Sequence, residues 1–236
     1  MPFPAVDALA FNAGKQPLSD PSVRKAASLA LDRVALAGVF DESPTAQLLP
    51  PDQPGYRAPG TIAGPDVAAA MALMHGRRFS VRMASYAGCD ACSQLATIVR
   101  AELARIGITV DVTEVDDPLG VARGQPDRFD LLNSFGSLDY PDPAMFLSKL
   151  LVDGEPSSWL PPAVRPGLGR LDGLTGDARV AAASDLANDL TTSVLPAAAF
   201  AVPVTGQFFA DRLGCQVFPP FGYGVDIAAL CVGSSS

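Results

Sequence analysis

Histidine occurs once in these 236 residues, and lysine plus arginine number 17 against 25 carboxylates. With only His75, and no cysteine at ligand spacing beside it, neither a zinc site nor a catalytic triad is expected. Its position before Gly76 reads as a helix C-terminus. The shortage of cations, a formal charge of −8, opposes nucleic acid as a partner, because phosphate contacts need clustered Lys and Arg. No apolar run approaches the roughly 20 residues that cross a bilayer, so no membrane span is expected, and the first residues lack the basic-then-apolar order of an export signal. A phosphate-binding glycine loop and a Gly-x-Ser-x-Gly elbow are missing too, so neither catalytic residues nor a cofactor or metal is expected.

What is present is a chain 48% hydrophobic and 18% charged, enough to bury a substantial core as one large domain or two small ones. Ala8–Asn12 offers a short strand. Asp20-Pro21 opens a helix whose stripe of Val23, Ala27, Ala30, Leu31 and Val34 runs toward Gly38, with Arg24 and Arg33 mostly off it. Residues 43–64, with five prolines and three glycines, read as an ordered surface crossing, with an interdomain linker as the competing reading. Pro65-Asp66 restarts a helix that ends near His75.

Phe79, Val81 and Met83 alternate with polar residues, then Cys92, Leu95, Ala96, Val99, Leu103 and Ile106 form a helical stripe ended by Gly107. Ile108, Val110 and Val112 alternate next. Strand, long helix and strand predict a right-handed unit with parallel pairing. Asp116 to Arg128 is turn-rich. A helix over Asp177–Val194 and an apolar strand over Ala197–Thr205 precede a tail with Phe208, Cys215, Phe218 and Cys231.

The stretch Phe129 to Leu147, FDLLNSFGSLDYPDPAMFL, organises the rest. Phe129–Leu132 reads as a strand of the same sheet, Gly136 as its break, and Asp142-Pro143 as the cap and first residue of a helix. Asp139 has no such local duty. A carboxylate at the carboxyl end of a sheet strand lies on the rim where open α/β sheets bind ligands, which makes it the first functional candidate; a solvated turn residue is the competing reading. Tyr140 and Phe135 are candidates for a pocket lining, with core packing the alternative for Phe135.

The even set of four cysteines suggests an oxidising compartment and allows three pairings. Sequence proximity favours Cys89–Cys92 and Cys215–Cys231. The Cys89-Asp-Ala-Cys92 spacing between a strand and a helix start also suggests a thiol–disulfide oxidoreductase, since a helix dipole acidifies such a thiol. Against it, Gly88 stands where that motif usually carries an aromatic, and no strand with a suitably placed proline faces it.

Four stretches in order, LAFNAGKQPLSDPSVRKAASLALDR from Leu9, LLPPDQPGY from Leu48, ATIVRAELARIGITVDV from Ala96 followed by FDLLNSFGSLDYPDP, and GDARVAAASDLANDLTTSVLPAAAFAVP from Gly176, resemble the extracellular solute-binding proteins of family 5, the peptide-type binding components of ABC transporters. The resemblance implies an α/β, periplasmic-binding-protein-like lobe of type II, peptide-binder type, with a mixed, mainly parallel sheet flanked by helices. It covers the carboxyl-terminal half of a typical member. Residues 1–236 are therefore expected to form one C-terminal lobe, the 206–236 tail belonging structurally to a missing N-terminal lobe. Further partners implied are a small solute or peptide and an ABC permease, at an extracellular or periplasmic location with membrane association through the parent protein. In peptide-binding members an aspartate just before the Tyr of such a motif pairs with the ligand's amino terminus, and it falls on Asp139. The residues before Asp139 depart from the aromatic-rich version of the motif. Two other functions stay open: the oxidoreductase, and a lobe reused as a protein-interaction module.

Overall fold

Five aspartates each stand immediately before a helix, and their side chains account for much of how the chain is punctuated. Asp20, Asp32, Asp66, Asp117 and Asp142 all accept backbone N–H groups of the first helical turn, which satisfies donors that would otherwise be orphaned and places negative charge at the positive end of each dipole. The acidic composition is thus partly structural. The computed structural model describes residues 4–58, 64–138, 140–204, 206–218 and 224–232.

In order the elements are β1 (Ala5–Phe11), α1 (Pro21–Ala30), α2 (Arg33–Gly38), β2 (Ser43–Pro44), α3 (Val67–Met74), β3 (Phe79–Tyr86), α4 (Asp90–Ala104), β4 (Ile108–Val115), α5 (Pro118–Gly124), β5 (Leu131–Ser137) and α6 (Pro143–Ser148). Then come α7 (Val164–Gly169), α8 (Gly176–Asp189), β6 (Ala197–Val202), β7 (Leu213–Gly214) and β8 (Cys231–Val232). Wider π-type turns, Lys149–Asp153 and Leu190–Val194, extend α6 and α8.

Six strands form one sheet in the order β2-β6-β1-β5-β3-β4. The expected parallel unit is there: β3 pairs with β4 over its whole length, and α4 covers it through Leu95, Val99 and Leu103. Parallel pairing does not dominate, however. The β2–β6, β6–β1 and β1–β5 pairings are antiparallel, and only β5–β3 and β3–β4 are parallel. Strands β1 and β6 are buried on both faces, so they lack the alternation from which a pairing could be read.

One face of the sheet holds a core of Leu9, Phe11, Val81, Val110 and Leu131 under α1 to α4, and the other holds Val6, Ala8, Leu132, Phe146, Leu150 and Trp159. The helix expected to reach Gly38 breaks at Leu31, whose ψ of 128° is extended, and Asp32 caps a second helix. Val34 is consequently out of phase and 59% exposed. Arg24, expected mostly off the stripe, is buried; its guanidinium donates to the carbonyls of Leu18, Ser19, Val194 and Leu195. It closes the end of the α8 extension onto α1. The turn-rich stretch after Asp116 contains α5, too short to show periodicity. The proline-rich crossing is anchored by buried Leu48 and Leu49 and supplies edge strand β2.

Candidate functional site

Strand β5 does not stop at Gly136, as the glycine suggested, but continues to Ser137. The glycine is there for close approach: a Cβ would lie 2.8 Å from Leu150 side-chain atoms and 2.9 Å from Leu150 Cα, so the strand runs against the turn after α6 with no side chain between. The entry to β5 is fixed by Asp130. Its buried carboxylate accepts from the Arg82 backbone N–H at 2.7 Å and pairs with Lys15 at 2.8 Å and Arg82 Nε at 3.3 Å.

On one side β5 pairs with β1 from Leu131 to Ser137. On the other it pairs with β3 only at Leu131 and Leu132, opposite Met83 and Ala84. Beyond Leu132 the two parallel strands separate. The edge of β5 from Asn133 to Ser137 thus has no strand partner on that side among the described residues. The gap is a cleft of about 370 Å³ lined by Tyr86, Leu119, Ser134, Phe135, Lys149 and Asp153, among others. It lies at the carboxyl ends of β3 and β5, where parallel strands open in α/β sheets.

Phe135 is 50% exposed and borders this cleft, so the core-packing alternative does not hold for it. Tyr140 is 48% exposed beyond the strand end, its carbonyl accepting from Gln53 Nε2 at 3.3 Å. Asp139 lies outside the described residues. Asp142 caps α6 as expected and is also paired with Arg179 on α8 at 3.2 Å. Tyr86, Leu119, Lys149 and Asp153 were not read as site residues. Tyr86 could have been found as the exposed end of an alternating strand; Leu119 sits on the unrecognised α5. Lys149 and Asp153 pair at 3.7 Å across one turn, both more than half exposed, a weak pairing in water.

A carboxyl pair was missed as well. Asp7, opposite Phe135 in the β1–β5 ladder and beside an irregularity in the β1–β6 register, is buried against Glu42 and Asn133. Burial pushes Asp7 up to about 6, with hydrogen bonds to Glu42 and Asn133 opposing the rise. Burial, and then the neighbouring Asp7 charge, push Glu42 up to about 8. Each carboxyl opposes ionisation of its neighbour, so the pair favours retaining a proton near neutral pH. Glu155, next to cleft residue Gly154, is fully buried without a hydrogen-bond partner for either oxygen among the described residues, and burial holds it well above the carboxylate range.

Both disulfides favoured by proximity are formed, Cys89–Cys92 and Cys215–Cys231. Among the described residues the one cis peptide bond, Gln16–Pro17, lies by Asp20 and its Arg77 partner, before β3 starts and far along that strand from the cysteines. The thioredoxin-like arrangement of a cis-proline facing the pair is therefore not formed by it. No group of acidic, histidine or cysteine side chains among the described residues could hold a metal ion, and no described helix is long and apolar enough to cross a membrane.

The fold has counterparts among solved structures. HbpA2 from Haemophilus parasuis superposes with a TM-score of 0.80 at 17% identity, over 98% of this chain and 49% of that one. The unliganded open form of the periplasmic murein tripeptide binding protein MppA gives 0.77 at 19% identity over 98% and 48%. The dipeptide binding protein of Pseudoalteromonas sp. SM9913, in complex with Met-Leu, gives 0.73 at 18% identity over 98% and 49%. At these identities the likeness concerns the fold, that of type II periplasmic binding proteins, and the chain spans about half the length of each. No curated protein matches the sequence. The sequence profile of bacterial extracellular solute-binding proteins, family 5 Middle, matches residues 2–158, well over half of the chain, and the protein belongs to that family.

Proposed function

We propose that this chain is the C-terminal lobe of a two-lobed extracytoplasmic binding protein that captures a peptide-like solute and delivers it to an ABC permease. The observation that carries this reading is the unpartnered edge of β5. A strand edge with free backbone donors and acceptors, facing a cleft with an aromatic on each bank, suits an extended ligand that supplies its own amides, as in β-strand addition. Ser134 in the floor and Lys149 at the rim add polar contacts without filling the space.

The tail from 206 belongs, in this reading, with the other lobe. Phe208 is 99% exposed, and Val217, Phe218, Ile227 and Val232 are exposed too. Such a set of apolar side chains suits a segment covered by other protein. Ligand binding would then require closure of both lobes, which excludes water and strengthens polar contacts.

Asp139, one residue beyond buried Leu138 at the end of β5, is the amine partner in this proposal. The test is calorimetry on a two-lobed protein carrying this lobe. Asp139→Asn should weaken a free-amine peptide by roughly 1.5–3 kcal/mol and leave its N-acetylated form nearly unaffected. Equal losses on both peptides would remove Asp139 from that role, and tight binding of either by residues 1–236 alone would overturn the need for a second lobe.

A further inference from the structure

The Cys89–Cys92 bond joins residues only three apart, so it ties no distant parts of the fold together. The elements on either side are secured without it, β3 by the ladder to β4 and α4 by its buried leucines. Its position is more informative. Cys89 is the N-cap of α4, and its Sγ accepts the Cys92 backbone N–H at 3.1 Å. A thiolate at Cys89 would receive the same N–H and the positive end of a 15-residue helix, the setting that acidifies thiols; Asp90 opposes this only from an exposed position.

The pair also adjoins the cleft. Cys92 lines a small cavity with Ser85, Tyr86 and Asn133, while Tyr86 lines the cleft itself. Between Tyr86 and Cys89 lie only Ala87 and Gly88. Gly88 has φ +69° with nothing within 4 Å of a Cβ position, so that link is restrained chiefly by the Ala87 N–H to Val115 bond and by the ring of the disulfide.

We propose that Cys89–Cys92 is a redox modification site, reduced by dithiols that close to a five- or six-membered cyclic disulfide, whose state sets how firmly Tyr86 is held at the wall of the cleft. A thiolate of the dithiol attacks Cys92 Sγ, the Cys92–Cys89 bond breaks, and Cys89 leaves as a thiolate held by the Cys92 N–H. The second thiol of the reagent, deprotonated, attacks its own sulfur in the mixed disulfide and Cys92 is released as a thiolate. Two electrons pass to the protein, the reagent ends as a cyclic disulfide, and the two protons are shared between the released thiols and solvent. Both cysteines are half-buried, open enough to reach. The meaning given to Tyr86 rests on the cleft being the ligand site, but the thiol chemistry can be measured without any ligand, so either can fail alone.

The test takes the whole chain through mixtures of reduced and oxidised dithiothreitol, followed by iodoacetamide trapping, peptide mass analysis and amide hydrogen exchange. Reduced Cys89 should alkylate roughly tenfold faster than Cys92 at pH 6.5, with a midpoint at least about one pH unit below that of the same cysteine in urea-unfolded chain. Exchange at Tyr86 to Gly88 should rise roughly tenfold on reduction while Val81 to Met83 stays protected. Cys92→Ser, which leaves Cys89 as a lone thiol, should show the same low midpoint. A Cys89 that titrates as in the unfolded chain, or exchange at Tyr86 equal in the two redox states, overturns the proposal. Loss of protection throughout β3 would show a structural staple instead, and overturns it too.

Discussion

The two sides of β5 are treated differently. Toward β1 the ladder is unbroken from Leu131 to Ser137, and the row containing Asp7 and Phe135 is backed by the buried Asp7–Glu42 carboxyl pair. Toward β3 the ladder is abandoned after Leu132, leaving a cleft instead of a neighbour. The same strand is thus a structural member on one edge and an open edge on the other. A stable ladder on the first edge lets the second keep its hydrogen-bonding groups available without the strand coming loose.

The strongest way to break this division is Gly136→Val, which must displace Leu150 and its backbone where β5 meets the turn after α6. It should cost about 3 kcal/mol or more, or prevent folding, as judged by the urea midpoint and soluble yield. A sharper contrast comes from a pair of truncations. Leu132→Ala, at a buried position, should cost about 3 kcal/mol in chemical denaturation, whereas half-exposed Phe135→Ala should cost under about 1 kcal/mol. Similar losses at both would place Phe135 in the core and remove it from the cleft.

A further effect is expected on pH dependence. Asp7 and Glu42 titrate at about 6 and about 8 in the folded chain, above the ordinary values of 3.8 and 4.5. The folded state therefore binds more protons than the unfolded one across this window. Their stabilising contribution is complete below about pH 4 and is lost as pH rises toward 8. Glu102, raised to about 7 by burial, and Glu155 slope the same way. Asp7→Asn should flatten the fall in stability between pH 5 and pH 8 by on the order of 2 kcal/mol, leaving the slope due to the other two. An unchanged slope in paired thermal melts would show that the Asp7–Glu42 pair does not retain a proton near neutral pH.

How much of this was readable from the residues depends on whether the signal was local. The β3–α4–β4 unit was readable because Phe79-Val81-Met83 and Leu95-Val99-Leu103 carry the periods of a half-buried strand and helix. The Asp142 cap was readable for the same reason, as were the helix starts at Asp20-Pro21 and Pro65-Asp66, though not the cap at Asp66. Pairing extent is not local: nothing in Asn133 to Ser137 announces that β3 will diverge, so the cleft, Tyr86 and Lys149 were missed. Gly136 was misread because a glycine that permits close approach looks in sequence like one that ends a strand. Asp7 was missed because it sits in an otherwise apolar run, and its partner Glu42 comes from a loop 35 residues away.

Strand β6, five residues of which carry nothing larger than an isopropyl group, has a consequence for how this lobe can diversify. Ala197, Ala198, Ala199 and Ala201 are all buried, and the layers above and below are spaced to fit them. An alanine codon becomes a valine codon by one base change, so mutation supplies at this strand a steady stream of overfilled variants that selection must discard. The banks of the cleft face no such limit, since Tyr86, Phe135 and Lys149 stand partly in solvent. Substitutions can thus accumulate at those residues while the plainest strand in the molecule stays as it is.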